Sequence, residues 1–456
     1  MRQRLALLLI FAAAPAFAED ALQPAPAPAA TQDAFTQALS SAYNTNPQLK
    51  AEREHLSGLD EGVAEAASGF RPNIGAEFDR GRQRQSVSGS SWIYSQTQTK
   101  ELQVNQPLFK GGGTMAELKA SRERVKAGRA QLLAAEQGVL YGAVSAYVDL
   151  AQAQAVLRLA EANVKVLSEQ QSAVQSRHDA GTLTGTDVAQ ADSRLSSAQA
   201  TLAQAQSDVE AARATFTRVV GYPPGEFELP EEHLPQLPAT LEDASAQATG
   251  AFPDVVAAQF NEKAADADVD QRISTLLPSV ALVGSMARSQ GELFPGIRDY
   301  DDDSLTLNVK IPLYQSGSEY AKVRAAKDAR EQAKFTALDA RAAATENAAH
   351  AWHDYQASIA VIGSAEEAAS SAETALKGIR EEYDAGTRTT LDVLNTEQDL
   401  FSRQVDLVRA RRARIIQAYR LLAATGQLTA AHLSLPVELY DPEAHYDHVK
   451  WLPLGF

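Results

Sequence analysis

The chain has 456 residues, with 42 Lys plus Arg against 58 Asp plus Glu and no cysteine. A net charge of −16 leaves no large basic face for nucleic acid, and the missing thiols exclude disulfides, thiolate metal sites, cysteine nucleophiles and lipid attachment through cysteine. Hydrophobic residues make up 45% but aromatics only 7%, so the apolar mass is mostly small aliphatic and suits long, closely packed helices.

Residues 1–18 read as an export signal. Arg2 and Arg4 precede the apolar run Leu5 to Ala14, and Ala16-Phe17-Ala18 forms a small-x-small cleavage site. The run is too short to span a bilayer, and no later stretch is apolar for long enough, so no transmembrane helix is expected. Residues 19–31 form an Ala/Pro-rich leader. A helix over 32–68, broken near Pro47, then leads into strands at 72–80 and 92–106, separated by a Ser/Gly-rich loop at 81–91. Pro107 to Gly113 turns the chain, and 114–179 reads as one helix roughly 100 Å long at 1.5 Å per residue. Gly181 and Gly185 mark a tight turn, and 187–219 returns as helix. A Pro-rich linker, 222–245, separates this unit (32–221) from a second (246–426). The second unit gives helix 254–275, strands 279–289 and 304–313, helix 318–384, a turn at Gly386 and helix 391–425. Residues 427–456 are a C-terminal segment or loose tail.

The two units are copies. Arg71-Pro72-Asn73 recurs as Leu277-Pro278-Ser279, 206 residues on, and Gln106-Pro107-Leu108-Phe109 recurs as Ile311-Pro312-Leu313-Tyr314, 205 on. Asp179 to Val188 recurs as Asp384 to Val393 with seven of ten positions identical. Constant spacing over so long a stretch marks a tandem duplication. Both helical hairpins carry heptads. In the first, Leu150, Ala153, Leu157, Ala160, Val164, Leu167 and Val174 share a seam interrupted by Gln171; Val188 to Val219 continue it on the return.

The strands alternate. Ile74, Ala76 and Phe78 interleave with Asn73, Gly75, Glu77 and Asp79, and Leu305, Leu307, Val309 and Ile311 with Thr306, Asn308 and Lys310. Strands of about ten residues flanked by Phe70, Trp92, Tyr94, Phe109 and Tyr314 fit an outer-membrane barrel with aromatic girdles. The same period fits a soluble sheet with one wet face. Four strands cannot close a membrane barrel, which needs at least eight, so membrane strands imply an oligomer. The long helices carry polar outer faces (Arg122-Glu123-Arg124, Glu161, Lys165, Glu169) and must project into water.

This duplicated order resembles the TolC family of outer-membrane channel-tunnels. The residues that carry the resemblance are the tips Gly181-Thr-Leu-Thr-Gly-Thr-Asp-Val188 and Gly386-Thr-Arg-Thr-Thr-Leu-Asp-Val-Leu394, the proline-initiated strands, and Gln106-Pro107-Leu108-Phe109. The fold class implied is mixed, mainly α: a homotrimer with long helical hairpins in an α-barrel, joined to a twelve-stranded transmembrane β-barrel. An equatorial belt would be built from Pro223–Leu241 and the residues after about 427. The resemblance places the protein in the outer membrane of a Gram-negative bacterium, among outer-membrane lipid, with its helices in the periplasm. It would export small molecules or polypeptides with a periplasmic adaptor (a membrane fusion protein) and an inner-membrane RND-type pump or ABC transporter. Drug efflux and type I secretion are not distinguished at this level.

At the tips, Asp392 begins the last helix, with Asn395, Asp399 and Asp406 along one stripe. Capping of backbone amides explains Asp187 and Asp392 simply. Under three-fold symmetry, Asp392, Asn395 and Asp399 would instead ring the pore entrance and favour cations. Asn395 departs from the family pattern, which has aspartate there. The resemblance implies a gate latch in which Arg388 bonds near Thr186 and Tyr383 near Asp187. It also implies adaptor-docking tips at Gly181, Leu183, Gly386 and Arg388.

Other signals are discounted. Gly111-Gly112-Gly113-Thr114 lacks the Lys-Ser/Thr of a phosphate loop, His350 and His353 lack partner ligands, and Asp301-Asp302-Asp303 reads as a solvated external loop at 289–303. No Gly-x-Ser-x-Gly elbow occurs, so no enzyme, cofactor or metal is expected. The alternatives are a pore-free periplasmic coiled-coil scaffold, against which the alternating strands speak, and a simple diffusion porin, which has no use for such long helices.

Overall fold

Asparagine, proline and glycine punctuate the helices. In the computed structural model, which describes residues 33–85, 93–294 and 297–450, Asn46 separates α1 (Ala34–Thr45) from α2 (Pro47–Ser68). Its side chain accepts from Gln48 N at 2.9 Å, and Pro47 fills the first turn, where an N–H is not needed. The long helices α3 (Gly113–Asp179) and α7 (Ser318–Asp384) have 67 residues each, or about 100 Å. Each turns back into a shorter helix, α4 (Gly185–Val220) and α8 (Thr390–Ala424). Before α7 come α5 (Leu241–Ala251) and α6 (Pro253–Ser274); a final turn, α9 (Ala444–Val449), follows α8. Sequence reading missed α5, although Thr240 caps it by accepting from Asp243 N. The export signal, the leader, Trp92 and residues 451–456 of the C-terminal segment lie outside the described residues. Among those described, no helix is long and apolar enough to cross a membrane.

Four antiparallel strands form one sheet in the order β1 (Asn73–Gln85), β2 (Ile93–Lys110), β3 (Ser279–Phe294), β4 (Ile297–Lys310). They run longer than the apolar alternation indicated, because backbone pairing continues past the apolar stretch. Three expectations are corrected. The loop at 81–91 loses its start to β1. Asp301-Asp302-Asp303 is strand, not loop, paired with Arg288, Ala287 and Met286. The turn from Pro107 begins later, since β2 passes through Pro107 with a register shift before Phe109, a bulge that tolerates a residue without an N–H.

The main core lies where α1, α2, the middle of α3 and the ends of α4 and α8 meet the segments 223–237 and 428–446. The scarce aromatics gather there: Phe35 packs edge-on to Tyr147 at 5.1 Å, and Phe227 stacks on Tyr147 at 4.4 Å and touches Phe216. The C-terminal segment is therefore no loose tail over its described part. Leu428 and Ala430 are fully buried. Ala430 N donates to Glu136 at 2.7 Å, and burial pushes that carboxyl above its ordinary value. Tyr440 N donates to the Tyr43 hydroxyl, Arg129 pairs with Glu443, and His445 Nδ1 stands 3.4 Å from the buried carboxylate of Asp60.

Away from this core the hairpins rest on heptads. Leu150, Ala160, Leu167 and Val174 are buried, as are Ala191, Ala198, Ala205, Val209 and Phe216. The polar interruption Gln171 donates to Asp192 across the hairpin at 2.9 Å, so its place in the seam is satisfied.

Candidate functional site

The sheet has two chemically different faces. Pairing aligns Ile74, Val104, Gly284 and Leu305 in one row, with Ala76, Leu102 and Met286 beside them on one side and Leu282, Leu307, Val280 and Val309 on the other. This apolar face is uncovered: Ile74 is 66% exposed and Leu305 75%. Phe109 sits at its helix-side end and Tyr94 at its far end, with Phe70 and Tyr314 also exposed near the helices. The opposite face is polar. Ser285 and Ser304 hydroxyls meet at 2.8 Å, Thr99 and Ser289 at 3.1 Å, and Glu77, Glu101 and Asp302 lie at one level. An exposed apolar band backed by a polar face is the pattern of a sheet between lipid and a water-filled lumen.

About 100 Å away, the two hairpin tips have the same local construction. Gly181 and Gly386 take φ of 75° and 79°, the left-handed values that end a helix in a tight reversal. Thr184 and Asp187 form a reciprocal capping box on α4, and Thr389 and Asp392 form the same box on α8. The Thr184 side chain, then its backbone N–H, holds the Asp187 carboxyl below its ordinary value. For Asp392 the Thr389 backbone leads and its side chain follows. Both aspartates are thus caps within the chain.

The rest of the tip differs from the expected contacts. Arg388 Nε donates to Glu382 at 2.7 Å. Tyr383 lies 3.4 Å from the Thr390 hydroxyl, with the Arg177 guanidinium 5.0 Å over its ring. Among the described residues no hydrogen bond joins Arg388 to Thr186 or Tyr383 to Asp187: Arg388 is taken by Glu382 and Asp187 by its own cap. Leu183 is half-buried at the first tip, while Gly181 and Gly386 are exposed.

The stripe on α8 is locally countered. Asn395 accepts from Arg194 of α4 at 2.7 Å, Asp399 stands 3.3 Å from Arg403, and Asp406 stands 3.5 Å from Arg409. Next to Asn395, Leu394 is buried against Leu167 and Ala198, so the tips of the two hairpins meet inside one chain. Sequence reasoning missed Arg177, the Arg194 tie, and the pairing of Arg380 on α7 with the buried Glu397 on α8. One signal was present: Arg194 and Asp399 occupy equivalent positions in the two units with opposite charge.

A lipid-type sheet mounted on hairpins far longer than a bilayer defines a class: a channel protein whose sheet meets membrane and whose helices meet water. The family profile described as "Outer membrane efflux protein" matches residues 38–222 and 245–427. The chain belongs to that family, a family of TolC-like outer-membrane channel proteins. It is similar to the outer membrane efflux protein BepC of Brucella suis, 35% identical over 92% of this chain and 91% of that one. It is also similar to the alkaline protease secretion protein AprF of Pseudomonas aeruginosa, 26% identical over 89% and 87%. The outer membrane protein VceC of Vibrio cholerae has the same fold, with a TM-score of 0.73 at 20% identity over 86% of this chain and 96% of that one.

Proposed function

We propose that three copies of the chain form a channel-tunnel that exports small molecules or polypeptides across the periplasm and outer membrane. The observation that carries this is the four-stranded sheet, apolar on one face and polar on the other, with open edges at β1 and β4. Unpaired strand edges are not viable in lipid, and four strands do not close, so further copies must complete the barrel. Three chains supply twelve strands, and their hairpins supply the periplasmic conduit. The relatives support both kinds of cargo: AprF is named for alkaline protease secretion and OpmQ of P. aeruginosa for pyoverdine export. A periplasmic adaptor would dock at Gly181, Leu183, Gly386 and Arg388. An RND-type pump or ABC transporter in the inner membrane would select the substrate. Residues 32–221 and 246–426 serve as the two structural repeats of this machine, with 222–245 and the C-terminal segment as its belt.

At the mouth, Asp392 and Asp399 supply the acidic levels and Asn395 a neutral one. Three-fold repetition of Asp392 favours cations and their block. Arg388 and Tyr383 reach a neighbouring chain's Thr186 and Asp187 and hold the mouth shut. Single-channel recording of the detergent-purified protein in a planar bilayer tests this. Small, cation-selective openings blocked by a trivalent cation are expected, with larger conductance after Tyr383→Phe combined with Arg388→Ser. Unchanged conductance in that variant overturns the latch, and unblockable openings overturn the acidic entrance. A detergent-independent soluble rod overturns the channel.

A further inference from the structure

The two free edges of the sheet carry the same pattern with opposite charge. Side chains two apart on a strand share a face. From the helix side outward, β1 presents Ile74, Ala76, Phe78, Arg80, Arg82 and Arg84 on the apolar face. From the helix side outward, β4 presents Val309, Leu307, Leu305, Asp303, Asp301 and Asp299 on that same face. Each edge is therefore three apolar residues followed by three charges, arginine on one and aspartate on the other. Arg80, Arg82, Asp299 and Asp303 form no ion pair among the described residues, and Asp301 reaches only Arg288, at 4.0 Å. All six charged side chains are exposed.

We propose that β1 of one copy pairs antiparallel with β4 of a second copy, with Arg80 opposite Asp303, Arg82 opposite Asp301 and Arg84 opposite Asp299. This rests on the oligomeric barrel proposed above and specifies its seam. Three observations agree. In this register Ile74, Ala76 and Phe78 face Val309, Leu307 and Leu305, so the apolar band crosses the seam unbroken while the charges stay together beyond it. The closure also has barrel geometry. The row from Ile74 ends at Leu305 within one sheet, and Leu305 would face Phe78 of the next copy, a stagger of four residues per chain. Over three copies that stagger tilts twelve strands by about 35°, within the range of membrane barrels. Finally, a like-charged edge disfavours its own kind: β1 on β1 either opposes arginine to arginine or sets the arginines against Ile74, Ala76 and Phe78, and β4 on β4 does the same with its aspartates. The zipper thus selects head-to-tail closure over face-to-face dimers.

The chain has no cysteine, so introduced thiols report cleanly. Arg82→Cys combined with Asp301→Cys, in the full chain in its native membrane, should give disulfide-linked dimers and trimers on a non-reducing gel, and neither single variant should. Directly opposed strand residues are within disulfide reach. Separately, Arg80, Arg82 and Arg84 all changed to Glu should lower the trimer fraction about tenfold, as expected for several opposed like charges. Adding Asp299, Asp301 and Asp303 all changed to Arg should restore it. A native chain that is trimeric while the cysteine pair fails to link overturns the zipper and leaves the three-chain barrel standing. Reversed arginines with trimer intact do the same and point to lipid phosphates as their partners. A native chain that is not an oligomer overturns both. If the charge-reversed chain fails to fold, the cysteine pair alone decides.

Discussion

Helices α3 and α7 have the same length, begin after the same left-handed glycine and end in the same turn, yet their surroundings differ. The middle of α3 is enclosed: Leu140, Val144 and Leu150 are fully buried beneath α1, α2 and the C-terminal segment. The corresponding part of α7 packs on α5, α6, α8 and Leu237, and along it Phe335, Leu338 and Val361 are more than half exposed. Duplication copied the helix and the two short helices before it, α5 and α6 standing where α1 and α2 do, but the C-terminal segment that closes over the first copy was built once. The second copy therefore keeps a surface that a single chain does not fill, and in the proposed assembly a neighbouring chain covers it.

The largest expected effect tests that contrast directly. Leu140→Ala should cost about 2–5 kcal/mol in denaturant unfolding of the detergent-solubilised protein. Phe335→Ala should change the same measurement by under about 0.5 kcal/mol, since it empties no core, and instead weaken assembly in sedimentation. Equal losses at both sites would end the distinction.

A smaller effect is expected at the tips, where the two units agree. Replacing Thr184 or Thr389 by Ala removes a cap, and amide exchange in the following turn should accelerate about fivefold at either tip alike. The pH dependence has a definite sign. The capped carboxyls of Asp187 and Asp392 are held below the ordinary value of 3.8, so their contribution is present above that value. It is lost as pH falls through the lowered one. Protection of these amides, taken relative to their intrinsic exchange rate, that already falls between pH 7 and pH 5 would contradict this. The smallest effect is expected at the cross-hairpin tie. Arg194→Gln should destabilise by well under about 1 kcal/mol, as for other exposed charged contacts. Its signature is local: faster exchange around Leu394 and Asn395, with α7 unaffected near Phe335.

Much was legible in the residues. Proline, glycine and 3.6-residue periodicity placed the long helices almost to the residue, and the shared offset exposed the duplication. Capping was legible too, since a threonine three residues before an aspartate already satisfies the first turn. The strands were read short because the alternation turns from apolar to charged at Arg80 and Asp303, while the backbone continues to pair. The site was only partly legible. The stripe Asp392, Asn395 and Asp399 is visible on a helical wheel, but its partner Arg194 lies 201 residues before Asn395 and meets it only through packing of the two hairpins.

The sequence by itself determined the elements, their order and their repetition, because periodicity, caps and turn residues act over a few neighbouring positions. Only the tertiary structure decided that the C-terminal segment closes over the core, that β2 of one unit joins β3 of the other, and that the strand bearing the arginines and the strand bearing the aspartates are the two free edges of one sheet. Those outcomes depend on register and on contacts between distant residues, and nothing within a short window of chain encodes them.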